Sequence, residues 1–120
     1  MFRAYQNKGF QISFVNGLTF SVMFGQGNYC QHRFEQSIDL PDGSTNAEIA
    51  VFQTDVTRIT ASQPSSGYIF ADGFNGTGHC GWLSPEQVAK CMAYVAEHPK
   101  DRPYDDLIGL LKSATMPTPA

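Results

Sequence analysis

The stretch Phe10-Gln11-Ile12-Ser13-Phe14-Val15-Asn16-Gly17-Leu18-Thr19-Phe20-Ser21-Val22-Met23-Phe24 decides the fold. Phe10, Ile12 and Phe14 alternate with Gln11 and Ser13, and Leu18, Phe20, Val22 and Phe24 alternate with Thr19, Ser21 and Met23. A period of two sends successive side chains to opposite faces of a sheet, so residues 10–15 and 18–24 read as half-buried strands. Asn16-Gly17 between them is the pair favoured in a tight type I′ turn, where both central residues take φ > 0. The expectation is an N-terminal β-hairpin closed by such a turn.

Beyond it, Pro41-Asp42-Gly43-Ser44 is a turn cluster, and Ala47 to Gln53 reads as the third strand. Residues 55–60, anchored by Val56 and Ile59, continue that strand or form a short fourth one. Residues 63–67 are loop, and Tyr68-Ile69-Phe70-Ala71 is a short strand candidate. Then the period changes. Ser84-Pro85-Glu86-Gln87 combines an N-cap serine, proline at the first helical position and glutamine three residues after the cap. Val88, Cys91, Met92 and Val95 follow at helical spacing, which predicts a helix from Pro85 to Glu97 that stops before Pro99. A second helix is expected from near Pro103, with Asp105-Asp106 complementing its dipole and Leu107, Ile108, Leu110 and Leu111 on its apolar side. Gly109 works against it. The predicted class is α+β: an antiparallel β-meander with one or two C-terminal helices packed on one face. Residues 1–114 read as a single domain and 115–120 as a flexible tail.

Charged residues are 16% of the chain and there are 11 glycines, which points to a loop-rich domain rather than a helical bundle. Net charge is -3 with no basic block, so wrapping duplex nucleic acid is disfavoured. No apolar run approaches a membrane span and no secretory signal is visible, so the expectation is a cytoplasmic protein with no membrane partner. Three cysteines, Cys30, Cys80 and Cys91, have no framework spacing and read as reduced thiols.

Two glycine-rich loops carry the chemistry-bearing residues. Gly25 to Phe34 brings Asn28, Tyr29, Cys30, His32 and Arg33 together, and Asp72 to Trp82 brings Phe74, Asn75, His79, Cys80 and Trp82. Their backbone N–H groups could cradle an anion, with Arg33 and Arg58 as charge partners. The first loop opens no helix and the second has no Gly-Lys-Ser/Thr ending, so neither is a standard nucleotide fingerprint. The plain alternative is that Gly25 and Gly27 bend the chain while Tyr29 and Phe34 pack beneath it.

A Cys30 or Cys80 nucleophile with His32 or His79 as base stays open, though adjacent residues such as His79 and Cys80 seldom face one another. Cys30, His32, His79 and Cys80 have the inventory of a zinc site without its spacing. Cys91 reads as core packing. Trp82 reads as an anchor at the helix start in the manner of a hydrophobic staple, offset by one position, and His98 as a partner for the helix C-terminus.

The hairpin, Phe24-Gly25-Gln26-Gly27-Asn28-Tyr29-Cys30, Asn46-Ala47-Glu48-Ile49-Ala50-Val51-Phe52 and Gly81-Trp82-Leu83-Ser84-Pro85-Glu86 together resemble a family of small conserved proteins of tailed phages. The similarity covers roughly residues 8–97. The family has no established activity, so the resemblance implies a phage setting and, with it, action in the host cytoplasm. In size and loop chemistry the chain is similar to phage anti-defence sponges, which hold nucleotide immune signals between protomers.

The leading expectation is a non-enzymatic, homo-oligomeric sponge that sequesters a small phosphate-containing signal without cleaving it. It needs no cofactor, metal or catalytic residue. Arg33 and Arg58 would contact phosphate. Tyr29, Phe74 and Trp82 would stack or line the pocket, and Asn28, Asn75 and His32 would read base or ribose. Oligomerisation follows because a domain this small seldom encloses a nucleotide alone. The alternatives are an inhibitor or accessory protein acting on a host or phage macromolecule, and a cysteine- or zinc-dependent enzyme.

Overall fold

The computed structural model describes residues 2–5, 9–25, 30, 44–54 and 79–116. Five strands come first: β1 (Phe2–Tyr5), β2 (Gly9–Ser13), β3 (Leu18–Met23), β4 (Ala47–Gln53) and β5 (His79–Leu83). Two helices follow, α1 (Pro85–Glu97) and α2 (Asp105–Thr115). The strands form one antiparallel sheet in sequence order β1-β2-β3-β4-β5. The α+β class, the meander, the hairpin and the C-terminal helices match the expectation. Residues 55–60 and 68–71, both candidate strands, lie outside the described residues.

Register separates the two faces of the sheet. Phe20 sits opposite Val51 and Val22 opposite Ile49, so these side chains share one face. They join Leu18, Leu83, Cys91, Val95, Leu107 and Leu111 in one buried cluster, which places the helices on that face. The other face carries Thr19, Ser21, Glu48 and Ala50, all buried. A hydroxyl chain runs along it, with Ser13 Oγ 2.9 Å from Thr19 Oγ1 and Thr19 Oγ1 2.8 Å from Thr54 Oγ1. Burying the Thr19 hydroxyl is tolerable because it has partners in Ser13 and Thr54.

The hairpin is present, but its turn differs from the expected type I′. The Phe14 N–H donates to Leu18 O at 2.8 Å and the Gly17 N–H to Phe14 O at 3.2 Å, enclosing Val15, Asn16 and Gly17. Within this loop Gly17 takes φ +87 and Asn16 stays out of the left-handed region. This is the three-residue alternative, with glycine supplying the single left-handed position. The reason is tertiary. Asn16 Nδ2 donates to Val95 O at 2.8 Å and His98 O at 3.0 Å, while its Oδ1 accepts from the Leu18 N–H at 3.1 Å. The side chain thus binds the hairpin tip to the C-terminal carbonyls of α1, groups that a helix leaves without intrahelical donors.

Helix α1 begins and ends where the sequence predicts. Ser84 Oγ accepts from the Gln87 N–H and Gln87 Oε1 accepts from the Ser84 N–H, a complete capping box. Leu83, rather than Trp82, holds the staple position before the cap, and it is buried. Val88, its counterpart on the helix, packs against the same cluster. At the other end His98 is buried, with Nε2 3.1 Å from Arg102 O and its ring 5.5 Å from that of Tyr104.

Candidate functional site

Of the predicted ligand-binding residues, Asn28, Tyr29, His32, Arg33, Arg58, Phe74 and Asn75 lie outside the described residues. Trp82 lies within them. It is in strand β5, so residues 79–82, expected as the end of the second loop, are strand instead. Alternation hid this strand because its register breaks. Ile49 pairs with Cys80 and Ala47 with Leu83, which leaves Glu48 facing both Gly81 and Trp82. Two residues opposing one is a β-bulge.

Trp82 takes φ +60 at that bulge and is 51% exposed. A left-handed backbone is rare for a bulky residue and costs on the order of 1–3 kcal/mol, a cost met in turns and at active sites, ligand clamps and switch regions. The indole is therefore held outward by a strained backbone instead of being packed at the start of α1.

His79 and Cys80 fall on opposite faces. His79 is registered with Ala50 on the polar face, and Cys80 with Ile49 on the helix face. On the polar face His79 Nε2 stands 3.8 Å from Glu48 Oε1, with Glu48 6% exposed. On the helix face the thiols are set against nucleophilic chemistry. Burial pushes the Cys80 pKa up and a nearby Glu48 charge adds to it, while a hydrogen bond with Thr115 pulls the other way. Burial also pushes Cys91 up to about 12, with the neighbouring Cys80 contributing and Lys90 opposing. A reactive cysteine needs the reverse shift. Cys30 is buried and donates to Gly25 O at 3.5 Å. No group of three or more His, Cys, Asp or Glu among the described residues could hold a metal ion. No described helix is long and apolar enough to cross a membrane.

Residue-by-residue reading of the sequence missed a groove of about 670 Å³ between α1 and the sheet. Phe10, Phe14 and Phe24 line its sheet side. Pro85, Val88, Met92 and Ala96 line its helix side at intervals of three and four, so it follows one stripe of α1. Ser44 and Asn46 are the polar residues of the lining among the described residues. They precede β4, beside the N-terminal end of α1. Phe10, Phe14, Val88 and Met92 follow strand and helix periods in the sequence, which assigns them to apolar faces, and each packs against the core cluster at the rim of this groove.

Comparison of the chain with protein-family models, curated proteins and solved structures finds no match.

Proposed function

We propose that this is a non-catalytic binding protein that sequesters a small nucleotide-type immune signal, with the Trp82 indole as a stacking platform for the base. The observation that carries the reading is the combination at Trp82: a large aromatic ring, half exposed, held at a bulge by a left-handed backbone. Indole faces stack on any base, and such contacts are worth roughly 1–3 kcal/mol per base by alanine substitution. In this reading Arg33 and Arg58 meet the phosphates. Tyr29 and Phe74 complete the aromatic wall, and Asn28, Asn75 and His32 read polar edges. Two protomers share the pocket.

The N-terminus of α1 is not the phosphate seat. Ser84 and Gln87 cap it internally, and Glu86 adds negative charge in its first turn. Phosphate recognition in this reading falls to the arginines.

Trp82 is the single tryptophan of the chain, so its fluorescence reports on the site directly. The test is a fluorescence and thermal-shift titration with cyclic mono- and dinucleotides and ADP-ribose isomers. One member should quench Trp82 saturably and raise the melting temperature. Trp82→Ala should weaken binding of that ligand, measured by calorimetry, by on the order of ten- to a hundredfold, and Trp82→Phe should weaken it less. No response to any member would sink the reading and favour a macromolecular partner.

A further inference from the structure

A cleft of about 310 Å³ lies where the C-terminal turn of α1 meets the first turns of α2. That size suits a small ligand. Glu97, Arg102 and Asp106 bring charge to its lining, and Leu107 and Leu110 bring apolar surface. Trp82 does not line it, so the cleft is separate from the proposed nucleotide site. No ion pair joins these three charges to any described residue. All three are exposed, and exposed charges are served by water, so they carry no argument alone.

His98 is the group that does. It lines the same cleft and is 8% exposed. Its Nε2 lies 3.1 Å from Arg102 O, and a carbonyl only accepts, so Nε2 carries the hydrogen. In the neutral ring Nδ1 is then a bare acceptor. No described residue donates to it. Buried polar atoms are ordinarily paired, so this nitrogen calls for a donor from outside the chain.

The surroundings specify the donor. Glu97 and Asp106 are anionic acceptors on the same lining. The last turn of α1 carries no basic side chain, and a helix C-terminus favours positive charge. An ammonium presents three N–H donors, one each for His98 Nδ1, Glu97 and Asp106. Arg102 adds the opposite requirement. A ligand that is only cationic would leave its guanidinium unmatched, and a phosphate dianion would face two carboxylates. A small zwitterion meets both conditions, because its carboxylate accepts from the guanidinium fork while its ammonium donates to the other groups. Leu107 and Leu110 then receive an apolar substituent. We propose that this cleft is a binding site for a free α-amino acid with an apolar side chain.

The test is calorimetry on the full chain with leucine, with isoamylamine, which lacks the carboxylate, and with isocaproate, which lacks the ammonium. One leucine should bind per chain, and each fragment should bind about tenfold more weakly or worse. Arg102→Gln and Glu97→Gln should each weaken leucine about tenfold. Both residues are exposed, so neither change disturbs the core. Nitrogen NMR should show the His98 Nδ1 resonance moving as leucine saturates, a response that charge at the rim alone would not give. Absence of saturable leucine binding would overturn the proposal. So would leucine binding no tighter than either fragment, unchanged affinity in either charge variant, or a His98 Nδ1 resonance that stays in place. None of these results bears on nucleotide binding at Trp82, which its own fluorescence reads separately.

Discussion

Helix α1 is fastened at both of its ends, whereas α2 is fastened chiefly through α1. At the N-terminus of α1, Ser84 and Gln87 satisfy one another, and at its C-terminus Asn16 supplies two donors from the hairpin tip. Helix α2 starts at Tyr104 with no side-chain cap and relies on Asp105 and Asp106 for favourable charge in its first turn. Its last carbonyls are met from α1, where Gln87 Nε2 donates to Met116 O at 3.2 Å and Ala114 O at 3.4 Å. One glutamine thus closes the start of one helix and the end of the other. α1 contacts β3, β4 and β5 directly and organises the layer, and α2 completes it with Leu107 and Leu111.

Three substitutions would break or sharpen this contrast. The largest effect is expected from Leu111→Ala, which empties a fully buried position between α2 and the core. It should cost about 2–5 kcal/mol in chemical denaturation. If α2 is the dependent helix, hydrogen exchange should show its amides opening before those of α1.

Next comes Asn16→Ala, which removes both donors from the α1 carbonyls and the acceptor from the Leu18 N–H. A loss of about 1–3 kcal/mol is expected, because a half-buried network loses its centre. Exchange should then rise at the C-terminal turn of α1 and not at its capped N-terminus. Uniform exchange along α1 would mean that the helix is held by its packed face alone.

The smallest effect is expected from Gly109→Ala. A Cβ at this α2 position meets nothing within 4 Å. Alanine should therefore stabilise by about 0.5–1 kcal/mol through helix propensity, read as a raised melting temperature. A loss of stability there would mean that α2 is constrained by something other than its own helicity.

What was legible in the sequence divides along physical lines. β3, β4 and α1 are readable because period and caps act locally: Leu18 to Val22 alternate, and Ser84 and Gln87 state where the helix begins. β1 is four residues long, too short for a period to register. β5 reads His-Cys-Gly-Trp-Leu, and its bulge shifts the alternation, so it passes for loop. Asn16-Gly17 announces a turn but not its type, because the Asn16 side chain is engaged by carbonyls some eighty residues away in sequence. The same non-locality hid the groove, whose walls come from strands β2 to β5 and a helix that meet only in three dimensions. At the candidate nucleotide site, Trp82 is the residue on which structure and sequence can be compared. The indole predicted as a ligand contact is exposed, and the packing role at the helix start belongs to Leu83.

The Asn16–Gly17 linkage also bears on chemical ageing. Asparagine followed by glycine is the sequence most prone to spontaneous deamidation, since the glycine nitrogen attacks the side-chain amide carbon with little steric hindrance and expels ammonia. Here that nitrogen is turned toward Phe14 O, and the amide is held by Val95 O and His98 O. The folded hairpin therefore guards the bond that the unfolded chain would lose first. Once converted to aspartate, position 16 would aim a carboxylate at two carbonyl oxygens, so each excursion to the unfolded state risks a molecule that can no longer fully close.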